Sequence, residues 1–205
     1  MENSKEKIDY RIGRNTPADI FQINEPRPEG VPGPDTFGSL TYLPGQGLML
    51  VMWCFEENPL ARYTKPNEPV HTDSCMEGFI NCFPELPGKG YISVEMNANG
   101  ASHCSFGTGR HDRRYVIDLG LTHPAVEITR GLRDGRPYWQ AGCLIPEQLL
   151  EALYGVSCSF APGHLMRANF YKCAEDVANP YWSAWKPVSR LDFHMPEHSG
   201  YLIVL

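Results

Sequence analysis

Four tryptophans, a histidine–aspartate turn and an arginine-rich turn hold the side chains of this sequence best suited to chemistry. Flat aromatic faces stack on the apolar C–H faces of sugar rings, and polar neighbours then take the hydroxyls. Trp182 and Trp185 lie in Asn179-Pro-Tyr-Trp-Ser-Ala-Trp-Lys-Pro187, a segment of turn residues where large aromatics need a partner or a ligand. Trp53, within Leu48-Met-Leu-Val-Met-Trp-Cys-Phe55, and Trp139, in Tyr138-Trp-Gln-Ala-Gly-Cys143, read as core packing. Gly107-Thr-Gly-Arg-His-Asp-Arg-Arg114 lacks the spacing of a phosphate loop and opens no helix. It reads either as a solvated turn with local ion pairs or as a polar rim from which Arg110 donates hydrogen bonds to ligand oxygens. In Pro69-Val-His-Thr-Asp-Ser-Cys-Met-Glu-Gly-Phe-Ile80, a polar turn with His71, Asp73 and Ser74 leads into a strand. Asp73 there caps the turn, binds an ion or accepts from a hydroxyl. No Gly-x-Ser-x-Gly or His-Glu-x-x-His motif occurs, so no catalytic residue is assigned.

The elements that must position these residues are short. Nineteen glycines and eighteen prolines fall between apolar stretches, the punctuation of many strands. Strands are predicted over 36–43, 47–56, 75–83, 90–97, 101–107, 125–133, 138–144, 165–174 and 200–205. In Tyr91-Ile-Ser-Val-Glu-Met-Asn97 the alternation puts Ile92, Val94 and Met96 on one face, the core face. Glu77 falls opposite Met76 and is read as facing solvent. One helix is predicted from Pro146 to Tyr154, with proline at its start and Gly155 at its stop. Pro17, Pro26, Pro28, Pro32 and Pro34 make residues 1–35 an extended arm over the core. The reading is an all-β chain, a two-sheet antiparallel sandwich with one short helix, in a single domain of 205 residues.

Composition narrows the partners. A formal charge of −6 lacks the broad basic surface that phosphate backbones require, so no nucleic-acid partner is expected. No apolar run is long enough to cross a bilayer, and no membrane partner is expected. The polar N-terminus carries no apolar signal region, which as written implies a cytoplasmic protein, or an extracellular one if the start is truncated. Seven cysteines, an odd number without a C-x-x-C pair, argue against both a zinc knuckle and a disulfide framework. They read as reduced core residues.

Several segments resemble family 9 carbohydrate-binding modules and their DOMON-like relatives. Asp73-Ser-Cys-Met-Glu-Gly-Phe-Ile80 is similar to the family's Asp-Ser-Cys-Val-Glu-Phe-Phe-Ile type of segment. Tyr91-Ile-Ser-Val-Glu-Met-Asn-Ala-Asn-Gly100 is similar to its Tyr-x-x-Phe-Glu-Val-Asn-Pro-x-Gly strand and turn, and Gly107-Thr-Gly-Arg110 follows in order. Arg167-Ala-Asn-Phe-Tyr-Lys172, Ser183-Ala-Trp-Lys-Pro187 and Phe193-His-Met-Pro-Glu-His-Ser-Gly200 continue the likeness, which spans about residues 40 to 205. The resemblance implies an immunoglobulin-like sandwich that binds an oligo- or polysaccharide without cleaving it and is associated with glycan breakdown. A carbohydrate-active hydrolase on the same fold is the alternative, and a structural or interaction module a third. Better-known members clamp a sugar between two tryptophans; this chain has Val70 and His71 near one clamp position and Phe193 and His194 near the other. A rebuilt site would draw on Trp182, Trp185, Arg110, His71, Asp73, Phe193 and His194. No cofactor is expected beyond the structural calcium that the resemblance implies.

Overall fold

The computed structural model describes residues 7–26, 28, 30–190 and 192–205; the first six residues of the predicted arm, part of the N-terminus searched for a signal, lie outside them. Among the described residues the strands are, in chain order, β1 (Tyr10–Arg14), β2 (Phe21–Ile23), β3 (Glu25–Pro26), β4 (Thr36–Leu43), β5 (Gly47–Cys54), β6 (Cys75–Asn81), β7 (Tyr91–Asn97), β8 (Ser102–Gly107), β9 (Arg114–Tyr115), β10 (Val126–Arg133), β11 (Arg136–Pro146), β12 (Leu165–Ala174), β13 (Tyr181–Ala184) and β14 (Gly200–Val204). The helix α1 (Glu147–Tyr154) follows β11.

Two layers result. One runs β10-β11-β5-β4, with β2 also on β4; the other runs β14-β12-β6-β7-β8-β9, with β13 on β12 and β3 on β13. Strand β1 joins them. Tyr10 to Ile12 pair with β14, whereas Gly13 and Arg14 pair with β4. The switch falls at Gly13, where a Cβ would stand 2.0 Å from the Thr16 carbonyl oxygen, so only glycine fits. Both pairings of β1 are parallel; the other strand pairings among the described residues are antiparallel, so the expected antiparallel sandwich holds apart from this one strand. Residues of the expected arm also enter the sheets: Pro26 lies within the edge strand β3, opposite Ser183, and Tyr10, Ile12, Phe21 and Ile23 are buried in the core.

Alternation decides which side chains meet between the layers. Leu48, Leu50 and Met52 of β5 pack toward Met76, Ile80, Ile92, Val94 and Met96. Burial at this scale stabilises by roughly 1.5–3 kcal/mol per large apolar side chain. The layers approach so closely that a Cβ on Gly78 would stand 2.6 Å from a Leu50 methyl. Helix α1 closes one end with Leu149, Leu150, Leu153 and Tyr154 buried, and Gly155 ends it at φ 74°. All seven cysteines are buried and free.

The outer face of the second layer is also covered. Phe79, Tyr91, Tyr171 and Cys173 point away from the main core into a second apolar cluster with Val70, Val188 and Phe193. These last three come from the segments preceding β6 and following β13, which fold back across the sheet. The opening left between those segments is the candidate site.

Candidate functional site

Strands β6, β7 and β12 set the floor of a groove, because their odd-numbered residues turn outward. Glu77 and Glu95 are register partners on β6 and β7, and Cys173 on β12 lies beside them. The 3-10 turn Val70–Thr72 brings His71 to one wall, and Glu175 stands there just beyond β12. Phe193 and His194 form the opposite wall, and Arg110 and Arg113 from the turn after β8 close the end. The enclosed space is about 70 Å³. Across Phe193 lies a larger cavity of about 270 Å³, lined by Phe79, Tyr91, Tyr171, Arg167 and Asn81 among others. The larger space combines four aromatic rings with Arg167 and Glu197; the smaller one holds the denser set of charged groups, and we centre the site on it.

Electrostatics in the groove are dense and only partly closed. Glu77 and Glu95 are each 3% exposed. Burial first, and then the neighbouring Cys173 and Glu95, push the Glu77 carboxyl well above the usual carboxylate range. Glu95 is held differently, by an ion pair to Arg113 at 3.2 Å. The Arg113 guanidinium also donates to His194 Nε2 at 2.8 Å, and His194 Nδ1 lies 2.7 Å from the Tyr91 hydroxyl. An acceptor at Nε2 places the imidazole proton on Nδ1, which therefore donates to Tyr91. Burial, then Arg113 and Arg110, lower the His194 pKa to about 3 and keep the ring neutral. His103 Nε2, 3.9 Å from Glu95, makes no hydrogen bond among the described residues.

Four of the seven residues singled out from sequence meet here: His71, Arg110, Phe193 and His194. Arg110 is half exposed and pairs with Asp192 at 2.8 Å. Trp182 stands beside the groove, its Nε1 donating to Glu175 at 3.2 Å. Trp185 does not join them. It packs against Tyr10, Phe21 and Phe170 with ring centroids 5.6–6.3 Å apart, and a Cβ on Gly200 would touch its ring at 2.7 Å. Asp73 is also elsewhere. Fully buried, its carboxylate accepts from the backbone N–H groups of Arg62 and Tyr63, from Arg62 Nε and from Asn97 Nδ2. It organises this corner of the fold, three donors meeting Oδ2 and Arg62 Nε meeting Oδ1. Sequence reasoning missed Glu77, Glu95, Arg113, Cys173 and Glu175. For Glu77 and Glu95 the signal was present: a charged residue in mid-strand on the face opposite the core residues.

Of the two tryptophans read as core, Trp139 is 1% exposed, while Trp53 sits half-buried on the outside of the first layer with the Arg133 guanidinium 4.8 Å above its ring. The calcium implied by the resemblance finds no cluster of carboxylates among the described residues. Calcium takes roughly six to eight oxygens. Among the described residues, the group with metal-holding spacing is Cys75, Glu77 and Cys173, two sulfurs and one carboxylate.

Two packed β-layers with a polar groove across one outer face define the architecture, and comparison supplies the family. The sequence profile of carbohydrate-binding family 9 matches residues 43–204, and the chain belongs to that family. The fold is similar to that of a putative carbohydrate-binding protein from Bacteroides uniformis, with TM-score 0.74, 20% identity, and coverage of 95% of this chain and 98% of that one. It is also similar to a family 9 module from Caldicellulosiruptor kristjanssonii in complex with cellotriose, with TM-score 0.60, 9% identity, and coverage of 95% and 92%. The module from the same organism in complex with glucose gives TM-score 0.59, 11% identity, and coverage of 95% and 94%. None of the curated proteins compared matches the chain.

Proposed function

We propose that this protein binds an oligo- or polysaccharide in the groove between His71 and His194 without cleaving it, as the recognition component of glycan breakdown. The observation that carries this reading is the mixture of donors and acceptors on a family 9 scaffold: Arg110 and Arg113 donate, Glu95 and Glu175 accept, Glu77 toward its protonated form does both, and two histidines stand at the walls. A sugar hydroxyl both donates and accepts, so a groove of one sign would satisfy half of it. The small polar groove fits the hydroxyls at the end of a chain. The aromatic cavity beyond Phe193 offers ring faces to the next unit, where stacking orients the sugar and hydroxyl pairing selects it.

The test is calorimetric titration with glucose, cellobiose and cellotriose, chosen because similar folds bind glucose and cellotriose. Arg110→Ala should weaken binding roughly tenfold or more, the worth of one hydrogen bond to a charged group, and His71→Ala by roughly two- to tenfold, the worth of an ordinary one, each with the melting temperature unchanged. Folded wild-type protein that binds none of a broad panel of glycans would sink the proposal.

One observation favours a hydrolase as the second reading. Glu77 and Glu95 are cross-strand partners held in different environments, Glu77 toward its protonated form and Glu95 in an ion pair with Arg113. That division of roles is the one an acid and an anion need in glycoside chemistry. Release of reducing ends from a bound oligosaccharide, abolished by Glu77→Gln, would replace the noncatalytic reading with this one.

A further inference from the structure

Cys75 and Cys173 are far apart in sequence but are register partners on β6 and β12. Both turn toward the outer face. Their Sγ atoms and a carboxylate oxygen of Glu77 all lie within 4.8 Å of one another, and the Cys173 thiol donates to Glu77 Oε1 at 3.2 Å. With Zn–S near 2.3 Å and Zn–O near 2.1 Å, tetrahedral ligand atoms stand about 3.5–3.8 Å apart, so small rotamer shifts close the triad on an ion. We propose that Cys75, Cys173 and Glu77 form a binding site for a thiophilic divalent cation of the zinc type at the floor of the groove.

The donor set selects the metal. Two sulfurs and one carboxylate suit zinc and its soft neighbours, and they suit calcium or magnesium poorly. Glu77 and Cys173 line the groove, which gives an entry path and leaves the fourth tetrahedral position on the side where water or a ligand oxygen enters. Without a cation the cluster is held protonated: burial pushes the Cys75 thiol up to about 11, and the contact with Cys75, together with burial, raises Cys173. Metal binding therefore replaces the two S–H bonds and the Glu77 O–H bond with bonds to the cation and releases all three protons to solvent, so affinity rises with pH. No C-x-x-C spacing announces the site, because the ladder between β12 and β6 brings the two thiols together.

The test uses reduced full-length protein and metal alone, so it does not depend on whether a saccharide binds. Titration with Co²⁺ should give a near-ultraviolet thiolate-to-cobalt charge-transfer band that saturates at one ion per chain and is displaced by Zn²⁺. Cys75→Ser and Cys173→Ser should abolish the band and lose more than the roughly 10–100-fold in affinity that an outer-shell change costs. Cys143→Ser, in the main core, should keep both. If a serine variant melts too low to assay, Glu77→Gln preserves both thiols and should weaken Zn²⁺ while retaining the band. A wild-type titration without the band overturns the site, as does a band that survives in the Cys75→Ser, Cys173→Ser double variant.

Discussion

Lys172 and Cys173 are neighbours on β12, yet they look into opposite halves of the molecule. Lys172 turns inward with no exposed surface. Its ammonium donates to Ser74 Oγ at 2.6 Å, to the Tyr181 hydroxyl at 2.8 Å and to the Cys173 carbonyl at 3.3 Å, which uses all three protons. Glu56, 3.6 Å away, accepts in turn from Ser74, Tyr181 and Trp139 Nε1. Burial alone would lower the Lys172 pKa, but Cys54, Tyr181 and Glu56 around it raise it overall. On the Cys173 side, Glu77 has no cation of its own and His103 Nε2 has no hydrogen-bond partner among the described residues. One charge cluster is closed and the other is left incomplete. A closed buried network fixes structure, because any change leaves a group unpaired; an incomplete one at a groove has capacity left for a ligand.

The closed side should break hardest. Lys172→Met leaves Glu56 without its cation, and removing one partner of a buried pair costs about 3–5 kcal/mol. Urea denaturation should show that loss, and adding Glu56→Gln should recover most of it. A loss below about 1 kcal/mol would mean that the network is not closed as described. No comparable collapse is expected from substitutions on the groove side.

Acid should act through the groove wall. The His194 pKa is lowered from 6.5 to about 3, so below pH 6.5 the unfolded chain takes up a proton that the folded ring refuses. The contribution of this neutral ring is present above pH 6.5 and is lost as pH falls toward 3. His194→Asn removes the titration, so the variant should gain about 1–2 kcal/mol relative to wild type between pH 7 and pH 5. Urea midpoints measured across that range provide the check. Parallel curves would mean that His194 protonates equally in both states, and the Nδ1–H assignment toward Tyr91 would fall with that result.

The closed cluster was invisible in the sequence, and the open one was half legible, for the same physical reason. Alternation is local: it placed Ile92, Val94 and Met96 inside, and each of the nine predicted strands has its counterpart. Proline and glycine marked α1 because they act on their own backbone. Pairing is not local. Lys172 meets Glu56 only after β12 and β5 enter different layers, and nothing near either residue signals the other. Trp185 looked ligand-facing in its turn-rich segment, but β13 pairs with β12 up to Ala184 and delivers the next ring onto Phe170. His71 was legible as a polar residue in the turn before a predicted strand, and His194 only through the family resemblance. Glu77 was read as solvent-facing: its side of the strand was correct, but the segments that cover that side come from elsewhere in the chain.

That cover sets the smallest effect and the sharpest contrast. Glu77 and Glu56 are both largely buried glutamates, yet their shifts oppose each other: for Glu56, Lys172 and three hydrogen bonds overcome burial and lower the pKa, whereas for Glu77 burial prevails and raises it. A raised carboxyl stabilises the fold below its unfolded pKa of about 4.5, and that contribution is lost as pH rises through the folded value. Glutamine mimics the protonated form and carries no proton to lose, so Glu77→Gln should stabilise the fold at pH 7, and urea midpoints should show the gain fading as pH falls toward 4.5. Glu56→Gln alone should destabilise, because it leaves Lys172 unpaired. If Glu77→Gln destabilises as much as Glu56→Gln, Glu77 is an ionised member of a closed network, and the outer face of β12 is built as tightly as the inner one.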